Sequence, residues 1–194
     1  MLKLNKKLFF ISFLFFLCSC TNNRLVRDVG KFMNQQITLP ESMSVVWRGK
    51  DTIMTNYSTS FIKLIIWYDS LRCISCEANK INEWREIIAY TDSLDKWLSI
   101  IYLFTPRKND IYKVKMALKS DKLDYPIFID QHLIFVKQNP KLPKNRELHS
   151  FLLDKDNRVV LIGNPLHAPP VWNLYKKTIQ TLIDNDGVLP KGYR

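Results

Sequence analysis

One stretch of the chain restricts its fold more than any other. Phe61–Tyr68 (FIKLIIWY) carries a single charge among branched and aromatic side chains. That is the composition of a strand buried on both faces, as in parallel sheets. Five residues after Tyr68 stands Cys73, and Cys76 follows at C-x-x-C spacing. From Cys76 to Tyr90 (CEANKINEWREIIAY), Ala78, Ile81, Trp84, Ile87 and Ile88 recur at the interval of one helix face. Ser75 stands where an N-cap is wanted, and Glu77 falls in the first turn, where negative charge suits the helix dipole. A buried strand that turns into an amphipathic helix predicts an α/β fold, with helices packed on a sheet.

The position of the two thiols predicts their chemistry. At a strand-to-helix turn, free backbone N–H groups and the positive end of the dipole favour a thiolate, lowering a cysteine pKa from about 8.5 towards neutrality. Cys73 is the outer of the two and the natural nucleophile. Cys76, three residues on and facing the core, is placed to attack a mixed disulfide and release the partner. An inert disulfide pinning the turn is the structural alternative. The remaining cysteines, Cys18 and Cys20, lie near the N-terminus, so no disulfide scaffold is on offer. Structural zinc takes four ligands and a lone C-x-x-C supplies two; His132, His149 and His167 are not spaced as a second half-site.

The N-terminus reads as an address. Lys3, Lys6 and Lys7 precede Leu8–Leu17 (LFFISFLFFL), ten residues in which only Ser12 is polar. A helix of that length covers about half of the ~30 Å hydrocarbon layer, which suits a secretory signal and not a span. Leu17-Cys18-Ser19-Cys20 then resembles the lipobox of bacterial lipoproteins. Cys20 matches the cysteine that becomes lipidated, Ser19 the small residue before it and Leu17 the branched one; Cys18 departs from the pattern. The resemblance implies a signal peptide over 1–19, a tether and N-terminal helix over 20–43, and a domain over 44–194. It also implies a protein of the cell envelope, held on the membrane surface by acyl chains whose buried CH₂ groups contribute ~0.8 kcal/mol each, its domain facing the periplasm or extracytoplasmic space.

Leu64–Glu86 resembles the active-site region of the thioredoxin superfamily, and with the lipobox the chain is most similar to membrane-anchored proteins of the TlpA and ResA type. Later segments agree with that template. Trp97–Phe104 (WLSIIYLF) reads as a second apolar strand, and Asp110 as the cap of a helix carrying Ile111, Val114 and Leu118. Tyr125–Asp130 (YPIFID) reads as a short strand, and Phe151–Ile162 as a hairpin around Asp154–Asn157, with Asn157 where the group has glycine. Val171–Ile183 closes the chain as an amphipathic helix through Leu174, Tyr175, Thr178 and Leu182. Ahead of the cysteines, Asn23–Met33 reads as a helix and Ser44–Met54 as a hairpin with Gly49 in its turn. The implied fold is a thioredoxin-like mixed sheet flanked by helices, with an N-terminal helix and hairpin extension. The implied activity is thiol–disulfide exchange on protein thiols and disulfides, Cys73 attacking and Cys76 resolving. A membrane reductant or oxidant would recharge the pair, and no organic cofactor is needed because the sulfurs carry the electrons.

The chain departs from the family at several positions. Arg72 replaces the aromatic residue before the first cysteine, and Ile74-Ser75 replaces the usual inner dipeptide. The acidic or amide position ahead of the motif falls on Trp67, leaving Asp69 as candidate proton acceptor. The position of the family's cis-proline falls on Leu148, followed by His149; a non-proline cis bond costs ~3 kcal/mol, so a trans bond is expected. Two rival readings follow: a Sco-like copper chaperone using Cys73, Cys76 and His149, since thiolates and imidazole suit Cu(I), and a tethered binding domain without turnover. The chain holds 29 Lys+Arg against 18 Asp+Glu, a net +11 that falls to +8 once Lys3, Lys6 and Lys7 leave with the signal. No nucleic-acid signature accompanies the charge, and attraction to anionic headgroups or acidic partners is its plainer consequence. Lys137, Lys141, Lys144 and Arg146 read as a solvated loop face, and Pro165–Pro170 around His167 as a rigid connection into the last helix.

Overall fold

The computed structural model of the chain describes residues 24–47, 50–55, 59–70, 81–120 and 125–193. Its centre is a seven-stranded sheet built from β1 (Ser42–Trp47), β2 (Lys50–Thr55), β3 (Ile62–Tyr68), β4 (Leu98–Phe104), β5 (Ile127–Ile129), β6 (Ser150–Leu153) and β7 (Val159–Ile162). The strand order is β2-β1-β5-β4-β3-β6-β7. Strands β3, β4 and β5 run parallel, from Ile62 beside Leu98 to Phe104 beside Ile129, and both flanks are antiparallel. The described helices are α1 (24–32), α2 (Arg85–Ser93), α3 (Ile111–Ser120), α4 (Ile134–Gln138) and α5 (Pro169–Asp184). Among the described residues no helix is long and apolar enough to cross a membrane.

The strand pattern explains why β3 and β4 lack polar alternation: both of their faces are covered. Leu64, Ile66 and Tyr68 of β3 and Ile100, Tyr102 and Phe104 of β4 pack with Trp84, Ile87, Val114, Tyr175 and Ile179 from the α2, α3 and α5 side. The intervening Ile65, Trp67, Ile101 and Leu103 pack with Phe32, Phe135 and Phe151 on the other face, covered by α1 and α4. Every residue of β3 is buried, Lys63 included. Side-chain period two on a strand makes a single register satisfy both cores, and a slip by one residue would exchange them.

Several expectations are met at residue level and others are corrected. The Asp154–Asn157 turn closes the β6–β7 hairpin: Asp154 Oδ1 accepts the N–H groups of Asp156 (2.9 Å) and Arg158 (2.8 Å), and Asn157 takes the positive φ of 58° that its glycine counterpart would take. The helix expected over Cys76–Tyr90 differs. Its α-helical part is Arg85–Ser93, led in by a 3₁₀ turn, Ile81–Trp84, while Ser75, Glu77 and Ala78 lie outside the described residues. Trp84 stands at its N-cap without a side-chain hydrogen bond, and Asn82 Oδ1 instead takes Arg85 Nε and Nη2 at 3.0 and 2.7 Å. Asp110 likewise ends a 3₁₀ turn, Lys108–Asp110, ahead of α3. Leu174 is exposed, because α5 turns Tyr175, Thr178, Ile179 and Leu182 inward. Gly49 lies outside the described residues, although β1 and β2 pair in register on either side of it.

The segment after α1 is tied down at two places. Backbone bonds join Asn34, Gln35 and Ile37 to Val159 and Asn157, covering the outer edge of β7 at its first residue. Buried Asn139 then reaches across 101 residues: its Nδ2 donates to the carbonyls of Thr38 (2.8 Å) and Phe135 (2.7 Å), and its Oδ1 accepts Thr38 N (2.8 Å). Asn139→Ala is expected to cost about 1–3 kcal/mol in urea unfolding, since it removes both side-chain bonds that tie Thr38 to α4. Lys63 gives a pH-dependent counterpart. Burial pushes its ammonium pKa down, opposed by the carboxylates of Asp154 and Asp156. A base with a lowered folded pKa carries its full burial penalty below that pKa and sheds it as pH climbs towards the unfolded value. Lys63→Met is therefore expected to be more stable than the parent at pH 7, with the gap narrowing towards pH 10.5; parallel unfolding curves at several pH values check it.

Candidate functional site

Strand β3 ends at Tyr68 on the side of the sheet where β4 and β5 also end. Cys73 and Cys76, and the lipid-acceptor candidate Cys20, lie outside the described residues. Asp69, the candidate proton acceptor, is described, and it is buried immediately beyond β3. Its Oδ2 lies 3.4 Å from Nε of Arg146. Arg146 begins a 3₁₀ turn, Arg146–Leu148, capped by Asn145, whose Oδ1 accepts the N–H of Glu147 at 3.1 Å. One member of the loop cluster read as a solvated face thus reaches into the site and ion-pairs there.

The residue after Leu148 builds the wall. His149 is 2% exposed, and its ring stacks on Trp67 with centroids 3.9 Å apart and planes at 28°. Its Nε2 lies 2.9 Å from the carbonyl oxygen of Pro143. A carbonyl only accepts, so Nε2 carries the proton of that bond. The His149 carbonyl accepts Trp67 N at 2.9 Å. Trp67 Nε1 donates to Thr105 Oγ1 at 3.0 Å, and Thr105 Oγ1 donates to the Tyr68 carbonyl at 3.3 Å. No peptide bond among the described residues is cis, so the bond into Leu148 is trans, as expected. Pro143 acts here through its carbonyl, as the anchor of His149.

Between the end of β3 and this loop opens a cavity of about 300 Å³, lined by Tyr68, Arg146, Glu147, His149, Ser150 and Asn164 among others. Trp67 and Tyr68 give the cavity an aromatic floor, and Arg146, Glu147 and Asn164 a charged and amide-bearing rim. A second cavity, of about 380 Å³, lies between the start of α2 and the start of α5. There His167 takes a positive φ of 56° and places Nε2 2.9 Å from Glu83 Oε2. The Pro165–Pro170 stretch therefore does more than connect, since it pairs with the chain leading into α2. Among the described residues no group of three or more His, Cys, Asp or Glu side chains is arranged to hold a metal ion.

Sequence reading alone missed the Trp67–His149 stack and the Asp69–Arg146 pair. The available signal was at Trp67, which occupies a position where the resembled family carries an acid or amide. A large aromatic there needs a flat neighbour, and His149 supplies one.

No protein-family model matches the chain, and no curated protein matches it in sequence. Solved structures do resemble it. AhpC of Enterococcus faecalis superposes with a TM-score of 0.53 at 13% identity, covering 82% of this chain and 99% of its own. Thioredoxin peroxidase I of Plasmodium yoelii gives 0.52 at 12% identity, covering 84% and 98%. The exposed lipoprotein thioredoxin of Streptococcus pneumoniae gives 0.47 at 14% identity, covering 73% and 99%. At these identities the likeness is one of fold, and it rests on the first two. The chain has a thioredoxin-like fold, a mixed sheet flanked by helices, and its chemistry has to be argued from its own residues.

Proposed function

We propose that this protein is a membrane-tethered, extracytoplasmic thiol–disulfide oxidoreductase that acts on protein thiols and disulfides through Cys73 and Cys76. The observation that carries the reading is the place of the motif in the chain. Cys73 follows Asp69 by four residues, and four residues span at most about 14 Å. Along the chain the first thiol thus stands within about 14 Å of Asp69, which pairs with Arg146 of the cavity rim.

In the reductive direction the Cys73 thiolate attacks one sulfur of a substrate disulfide, forming a mixed disulfide and releasing one substrate thiolate. Cys76 loses its proton, for which Asp69 is the candidate acceptor, and attacks Cys73. The second substrate thiol leaves and a Cys73–Cys76 disulfide remains. Two electrons from a membrane dithiol partner restore the pair, and the same steps reversed describe oxidation. The lipobox-like Leu17–Cys20 supports the tether and the extracytoplasmic address.

Copper binding by Cys73, Cys76 and His149 is less well supported. Coordination through Nε2 of His149 would break its bond to the Pro143 carbonyl, which leaves only the buried Nδ1 to serve as a ligand.

A dithiol-driven insulin-reduction assay separates the readings. The parent protein is expected to turn over, Cys73→Ser to lose at least a hundredfold in rate, and Cys76→Ser to accumulate a mixed disulfide visible on a non-reducing gel. A parent protein without turnover would favour the binding module or the inert disulfide. For Asp69→Asn, the expected outcome is a roughly tenfold to hundredfold slower exchange at pH 7. The rate should recover as pH rises and Cys76 ionises unaided, which a pH–rate profile reads directly.

A further inference from the structure

The sheet face covered by α1 and α4 carries a feature that thiol chemistry does not use. Exposed Arg24, Arg27 and Lys31 lie on α1, and exposed Lys137, Lys141 and Lys144 lie on α4 and the loop after it. The two segments are neighbours. Phe32 and Phe135 share one core, Asn139 is hydrogen-bonded to Thr38, and a cavity of about 270 Å³ is lined from both sides, by Phe32 and Gln36 and by Gln138 and Lys141. The acid within α1, Asp28, pairs with Arg24 of its own helix at 4.0 Å. On the opposite face the lysines of α3 and α5 are interspersed with acids: Asp51 takes both Lys115 and Lys119, and Glu83 and Glu86 stand at the start of α2.

Apolar side chains sit among these cations. Val26 is 70% exposed on α1, and Leu133 and Ile134 are 39% and 37% exposed at the start of α4. Leu133 is held there in a left-handed conformation (φ 55°) that a leucine seldom takes. Asp130 enforces it, its Oδ2 accepting Phe135 N at 2.8 Å and its Oδ1 accepting His132 N at 3.3 Å. Cations ringed around a few protruding apolar side chains match the interface of an anionic bilayer. The tether sets the geometry: Cys20 stands four residues before Arg24, so a lipid on it would keep the start of α1 within about 14 Å of the membrane surface. That distance is comparable with the ~8 Å Debye length of physiological salt.

We propose that the face formed by α1 and by residues 133–144 docks on an anionic lipid surface, fixing the orientation of the tethered domain. The proposal rests on the anchoring at Cys20 put forward above. Because residues 130–149 lie at the end of the sheet where β3 ends, docking would hold the rim formed by Arg146 and Glu147 close to the bilayer. Substrates would then be thiols and disulfides near the membrane. Each cation near an anionic leaflet is worth about fivefold in partitioning, so the six together suffice to orient a domain already held there.

The test uses the full chain expressed with its own leader, reconstituted in vesicles of pure phosphatidylcholine or of phosphatidylcholine with 30% phosphatidylglycerol. Lysine acetylation rates are read by mass spectrometry. Lys31, Lys137, Lys141 and Lys144 are expected to react at least fivefold more slowly on the anionic vesicles, while Lys113 and Lys177 of the opposite face react equally on both. The protection should vanish in 0.5 M salt, and Lys137→Glu with Lys141→Glu should release Lys31. A chain that floats with both kinds of vesicle but labels evenly overturns the docking alone. A chain that floats with neither removes the anchor, and the docking with it.

Discussion

The burial of Ile62–Tyr68 between two cores is the constraint on which the rest depends. With every side chain of β3 covered, its position and register are fixed by packing from both faces and by ladders to β4 and β6. A strand held this firmly delivers its last residues to a defined place. Trp67 arrives against His149, Tyr68 offers its carbonyl to Thr105, and Asp69 emerges opposite Arg146.

The loop before β6 stands where the resembled family carries a constrained proline, and other contacts build it. Asn145 caps the turn, Pro143 holds the imidazole and the His149 carbonyl closes on Trp67 N. The result is a wall with a charged rim, formed by Arg146 and Glu147.

What the sequence disclosed followed the strength of local signals. Strands β3 and β4 were legible because continuous apolar runs of that length admit few alternatives, and the β6–β7 hairpin because Asp154 and Asn157 carry their own turn chemistry. The beginning of α2 was not, because helical periodicity does not distinguish a 3₁₀ lead-in from an α-helical turn, and the competing Asn82–Arg85 bonds are invisible to it. Leu174 misled for a related reason: next to Tyr175 it falls within the apolar arc, but the helix rotates the larger ring inward. In the candidate site, Asp69 was named because it stands two residues after the position where the resembled family carries an acid or amide. Arg146 and His149 owe their roles to contacts 77 and 82 positions away from Asp69 and Trp67, and no local pattern encodes such a contact.

The account stands or falls on the state of one sulfur. The rate of iodoacetamide alkylation of Cys73 in the reduced protein, followed against pH, reports its ionisation without needing a substrate. An apparent pKa well below 8.5 is the result that the proposed role of Cys73 as attacking thiol predicts. An apparent pKa at 8.5 or above, together with a disulfide that resists reduction, would contradict it and leave the two cysteines as a structural staple.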